Sequence, residues 1–122
     1  AAALDKKYEI PFNGKYSWLY AGEAAIAFIT SVNKDLTGSH VFNLNGSCET
    51  IEYGLSLIKE LSKEANISCV DKSFPFPPDL DDLPLRNHIG DYPSISVKKG
   101  IENTFRAFEI LKSEGRCPSL SE

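Results

Sequence analysis

Methionine is absent from this chain of 122 residues, tryptophan occurs once and cysteine three times. Cys48, Cys69 and Cys117 are odd in number and widely spaced, which argues against the disulfide framework of a small secreted domain. A reduced, cytoplasmic setting is the plain expectation. No Cys-x-x-Cys pair is present to seed a zinc site, and gathering the thiols with His40 and His88 requires distant segments to converge. No run of about 18 apolar residues occurs, so no membrane span is expected. The opening AAALDKK lacks the basic segment and long apolar core of a signal peptide, and reads as the end of a helix. The lack of methionine, even at position 1, suits a fragment or a processed chain. A strong charge of either sign is missing too. Lys and Arg total 13 against 17 Asp and Glu, a net charge of -4, so the basic face of a nucleic-acid binder is not expected.

What is present is ordinary for a folded domain, with 42% hydrophobic and 25% charged residues. Tyr8, Ile10 and Phe12 alternate as in a short strand, with Pro11 favouring an edge and Asn13-Gly14 a turn after it. Leu19 to Val32 reads as an alanine-rich helix with a broad apolar face. Val41, Phe42 and Leu44, between Gly38 and Gly46, read as a buried strand. Thr50 caps a helix whose stripe is Ile51, Leu55, Ile58, Leu61 and Ala65, with Gly54 reserved for close packing. Ile67 to Val70 is a further short strand. Phe74 to Pro84 holds four of the seven prolines and reads as an extended connection, with Leu85 to Ile89 a single helical turn after it. Ser96 caps the last helix, whose stripe is Val97, Ile101, Phe105, Phe108 and Leu111, and Gly115 and Pro118 end it.

Four segments occur in a telling order. They are YEIPFNG, then WLYAGEAAIAF, then HVFNLNG, then SISVKKGIENTFRAFEILKSEG. Together they resemble the back half of an extended short-chain dehydrogenase/reductase, the family of NAD-dependent sugar epimerases and dehydratases. In the second segment Glu23 stands at the family's usual aspartate and Ala25 at its alanine. The third is close to the family strand V-[FY]-N-[LIV]-x-G. The likeness spans about residues 1 to 116.

The resemblance implies an α/β fold, the C-terminal portion of a Rossmann-type enzyme, with a few short strands and three main helices. Residues 1–122 are then the substrate-binding part. As a chain terminus, Ser119 to Glu122 reads as a disordered tail. It implies a sugar or sugar-nucleotide substrate, and NAD or NADP for the complete enzyme. The dinucleotide loop and the catalytic tyrosine and lysine are then supplied by a missing N-terminal half. Here no GxxGxxG loop occurs, and none of the five tyrosines has a lysine four residues on. The chain alone is therefore expected to be inactive, to bind no cofactor and to carry no catalytic residue. Its apolar faces call for the N-terminal half or another chain, and a homo-oligomer stays open. The alternative is a stand-alone, non-catalytic α/β binding or interaction module.

Candidate substrate contacts follow from the resemblance. Nucleotide-sugar epimerases commonly place a diphosphate-binding arginine seven residues before the acidic position, and here that residue is Tyr16. Neighbouring Lys15 offers a point charge rather than a bidentate fork, and reads first as a solvated turn residue. Tyr16, Trp18 and Tyr20 alternate, and such faces stack on sugars or build cores. Arg86 suits carboxylate or phosphate, and His88 is a candidate polar or proton-transfer contact. For each, the plainer reading is a surface salt bridge to Asp81, Asp82 or Asp91. Glu23 reads as a helix-start carboxylate, and Asn43 as an amide that satisfies a neighbouring loop. The run Asp79, Asp81 and Asp82 lacks the glycine and glutamate of a calcium loop and reads as solvated.

Overall fold

The computed structural model describes residues 1–35 and 37–117. After a 3-10 turn at Ala2–Leu4 come β1 (Tyr8–Ile10), β2 (Lys15–Trp18), α1 (Ala21–Val32), β3 (Ser47–Thr50) and α2 (Ile51–Leu61). These are followed by β4 (Ile67–Cys69), α3 (Leu83–Ile89) and α4 (Val97–Ser113). The strands form two separate pairs. β1 runs parallel to β4, with Tyr8 opposite Ile67 and Ile10 opposite Cys69. β2 runs antiparallel to β3, with Lys15 opposite Thr50 and Trp18 opposite Ser47. The Asn13-Gly14 turn passes the chain from the first pair to the second. Gly14 adopts φ +92°, which its missing Cβ permits.

Side-chain chemistry sets the helix starts. Thr50 Oγ1 accepts the Tyr53 N–H at 3.1 Å, and Ser96 Oγ accepts the Lys99 N–H at 3.2 Å. Each satisfies one of the donors that a helix start leaves free. At the other end of α4, Gly115 is left-handed at φ +66° and the Arg116 N–H reaches Leu111 O at 2.8 Å. Pro118 and the tail Ser119 to Glu122 lie outside the described residues.

One core cluster joins Ile51, Leu55 and Ile67 to Ile10, Phe12, Tyr16 and Trp18. It ties both strand pairs to α2. A second joins Ala27 to Leu85, Ile89 and Tyr92, with Phe42 and Leu44 against it. Gly54 lets Trp18 lie on α2, since a Cβ there would stand 2.4 Å from the indole ring.

Three expectations need correction. Val41 to Leu44 is irregular and is not a strand. Among the described residues no backbone hydrogen bond pairs residues 41–45 with another segment. Phe42 and Leu44 still turn inward while Val41, 94% exposed, faces out, so the alternation exists without a neighbouring ladder. The strand in this region is the polar stretch Ser47–Thr50, created by pairing with β2. Secondly, the apolar face of α1 is mostly uncovered. Ala27 is buried, but Phe28, Ile29 and Val32 are 67%, 62% and 85% exposed. Among the described residues no other element lies over them. Finally, α2 stops at Leu61, short of Ala65.

Candidate functional site

The expected contacts fall into two groups on different elements. Lys15, Tyr16 and Trp18 lie on β2. Lys15 is exposed. Tyr16 packs edge-on against Phe74 with ring centres 5.0 Å apart, and Trp18 sits T-shaped on Tyr16 at 6.3 Å. The Trp18 indole donates to Glu49 O at 3.2 Å. These two rings are therefore walls of the core.

Arg86 and His88 lie on α3, where Asp82 immediately precedes the helix. The Arg86 guanidinium bonds Asp82 through Nε at 3.0 Å and Nη2 at 2.9 Å, and lies over the Tyr92 ring at 4.1 Å. The Tyr92 hydroxyl donates to Asp82 Oδ2 at 2.5 Å. His88 is exposed, and its Nδ1 is 2.9 Å from Pro84 O. No hydrogen bond or aromatic contact among the described residues joins the β2 group directly to Arg86 or His88. Asn45 connects the two regions. Its Oδ1 accepts from Ser17 of β2 at 2.7 Å, and its backbone carbonyl faces the Tyr92 hydroxyl at 3.3 Å.

The acidic run is used structurally. Asp79 accepts from Asn45 Nδ2 at 2.6 Å, Asp81 accepts the Leu83 N–H at the start of α3 at 3.0 Å, and Asp82 takes Arg86 and Tyr92. Asn43 Nδ2 reaches Asp81 O at 3.2 Å, so the neighbouring loop does satisfy this amide. Among the described residues no three His, Cys, Asp or Glu side chains gather as for a metal ion, and no helix is long and apolar enough to cross a membrane.

Burial by itself pushes the Asp82 carboxyl upward. Hydrogen bonds from Arg86 and Tyr92 and the guanidinium charge outweigh it, leaving the carboxyl below its usual 3.8. The same burial, with the Asp82 bond, raises the Tyr92 phenol. A carboxyl depressed by folding stabilises above its unfolded value and loses that contribution as pH falls through the folded one. The stability gap between the parent and Asp82→Asn should therefore be full near pH 6 and shrink below about pH 4. Denaturant titrations across that range check this, and a gap independent of pH contradicts it.

Glu23 is buried and holds two segments together. Its Oε2 accepts the Tyr20 N–H at 3.1 Å, and its Oε1 accepts the Ile95 N–H. One acidic side chain thus caps α1 and pins the approach to α4. Glu23→Ala should cost about 1–3 kcal/mol, because water reaches the half-buried Tyr20 and Ile95 only in part. Chemical denaturation checks this, and a loss under about 0.5 kcal/mol contradicts it.

A cleft of about 430 Å³ lies between the Ala2–Leu4 turn, the end of β2 and α4. Trp18, Tyr20, Ile95, Gly100, Ile101 and Phe105 line it. Of the expected contacts Trp18 and Tyr20 reach it. Its polar members are already engaged. Ser96 caps α4, Thr104 donates to Gly100 O, and Glu23 holds two backbone N–H groups. The cleft can therefore hold an apolar or stacking group. It presents no acid–base pair. The stripe of α4 foreshadowed its wall, but the stripe reads equally as buried core. The cleft exists because residues 1–4 come to lie opposite α4, which no local pattern announces.

No model of a known protein family matches the sequence, and no curated protein matches it. Solved structures do. A UDP-glucuronic acid 4-epimerase from Bacillus cereus, solved with UDP-glucuronic acid and NAD, superposes with a TM-score of 0.71 at 18% identity over 88% of this chain. An NAD-dependent NDP-hexosamine 5,6-dehydratase of tunicamycin biosynthesis gives 0.68 at 17% identity over 89%. The chain spans only 37% and 38% of those two enzymes. The fold is thus that of the C-terminal part of Rossmann-type epimerases and dehydratases.

Proposed function

We propose that this chain is the substrate-side portion of an NAD(P)-dependent epimerase- or dehydratase-like enzyme acting on a sugar or sugar nucleotide. In this reading the dinucleotide loop and the tyrosine–lysine pair belong to an N-terminal half of the same polypeptide. The observation that carries the proposal is the superposition on two such enzymes over nearly nine-tenths of this chain. The uncovered α1 face and the unpaired segment 41–45 support it, because both are surfaces a neighbouring sheet and its helices would cover. Leaving such surface in water costs about 25 cal/mol per Å².

The residues present do not fit a dinucleotide, since no glycine-rich strand–helix start is available to receive a pyrophosphate. When bound to the other half, the cofactor supplies the hydride chemistry. This chain's share is to shape the substrate lobe, exclude water and hold the lobe rigid through the Asn45, Asp82 and Glu23 ties. Tyr16 packs into the core where an arginine fork is common, so a diphosphate finds only the Lys15 charge on this part of β2.

Calorimetric titration of NAD and NADP into the isolated chain tests the division of labour. No saturable binding is expected. Tight, stoichiometric binding refutes it.

A further inference from the structure

Beyond the proposed enzymatic role, the chain's only two histidines come together on the surface. His40 lies in the loop after α1 and His88 in the last turn of α3, and their ring centres are 5.6 Å apart. Both are exposed. Each ring has one nitrogen fixed by a backbone carbonyl. His40 Nε2 is 2.8 Å from Thr37 O, and His88 Nδ1 is 2.9 Å from Pro84 O. A carbonyl only accepts, so each of these nitrogens carries the proton in the neutral ring. The lone pairs are then on His40 Nδ1 and His88 Nε2. This is the arrangement that metal-ligating histidines adopt, with the second N–H held by a carbonyl or carboxylate.

The spacing agrees. With metal–nitrogen bonds of about 2.0–2.1 Å, two imidazoles on one ion hold their ring centres about 5–6 Å apart at tetrahedral or wider angles. Phe42 packs 4.8 Å from the His88 ring and 5.8 Å from the His40 ring, backing the pair on one side. No third His, Cys, Asp or Glu joins the pair among the described residues, so water completes the shell.

We propose that His40 and His88 form a two-imidazole surface site for a borderline divalent cation of the zinc class. Imidazole ligands suit zinc, copper and nickel rather than magnesium or calcium. Filling the site ties the loop before Val41 to α3, and so clamps the segment that the proposed cofactor half would cover. The site itself does not depend on that enzymatic reading.

The test uses the chain without a histidine tag and zinc chloride as the probe. With two histidines in the sequence, their ring proton resonances are separable by NMR. Both rings should shift together along one binding curve that ends at one equivalent. An outer partner of a metal ligand is already worth roughly 10- to 100-fold in affinity, so His40→Gln should raise the zinc needed to shift His88 by at least about tenfold. His88→Gln should do the same for His40. Both positions are exposed, so the fold is expected to survive either change. If the rings do not shift, if only one shifts, or if either ring titrates unchanged without the other, the proposal is overturned.

Discussion

Gly46→Ala should destabilise the chain by about 3 kcal/mol or more, at the severe end of overpacking. An added Cβ would stand 2.0 Å from the Trp18 carbonyl oxygen and 2.7 Å from the Leu19 nitrogen. These are backbone atoms, so no rotamer change makes room. Hydrogen bonds tie the two segments together at this contact. The Gly46 N–H donates to Ser17 Oγ at 2.9 Å, and Ser17 donates onward to Asn45. Moving this strand end away from β2 therefore disturbs the tie that runs through Asn45 to Tyr92 and Asp82. Gly54→Ala is the informative comparison. It meets the Trp18 ring rather than backbone, and alanine regains up to about 1 kcal/mol of helix propensity. It should cost less. Urea denaturation with unchanged slope checks both, and a Gly46→Ala midpoint equal to the parent's contradicts the packing account.

The second large effect concerns the bare face of α1. The double change Phe28→Lys with Ile29→Lys should leave the isolated chain's stability within about 0.5 kcal/mol, since both side chains already face water. It should also reduce any self-association through that face. In the complete polypeptide that we propose, the same pair should be severe. Each buried side chain forfeits about 1.5–3 kcal/mol, and each lysine adds the cost of an unpaired charge. Stability of the isolated chain and yield of soluble complete protein are the paired measurements. Equal effects in both settings contradict a covered face.

Much of the fold was legible in the sequence, for local reasons. Thr50 and Ser96 carry hydroxyls one residue before apolar stripes, and both do cap helices. Gly54 within an apolar helical stripe signals close packing, and the Trp18 indole explains it. Glu23 was read as a structural carboxylate, though its second bond, to Ile95, depends on a contact 72 residues away. The misreadings share a cause. Val41, Phe42 and Leu44 are the right residues for a strand, but a strand needs a partner, and none lies beside them among the described residues. Ser47–Thr50 has no apolar run and becomes a strand only because Lys15–Trp18 runs antiparallel to it. Arg86 was paired in advance with the right class of acid, but nothing local pointed to the Tyr92 ring and hydroxyl that complete the cluster. The cleft was invisible for the same reason, since its walls come from the Ala2–Leu4 turn, the end of β2 and α4, which lie far apart in the chain.

The central claim is that these surfaces were shaped against a nucleotide-binding half of the same polypeptide. Reading the natural coding sequence upstream of Ala1 tests it most directly. The account predicts an unbroken frame encoding a glycine-rich strand–helix start and a Tyr-x-x-x-Lys pair. A stop codon followed by an initiator codon just before Ala1 contradicts it.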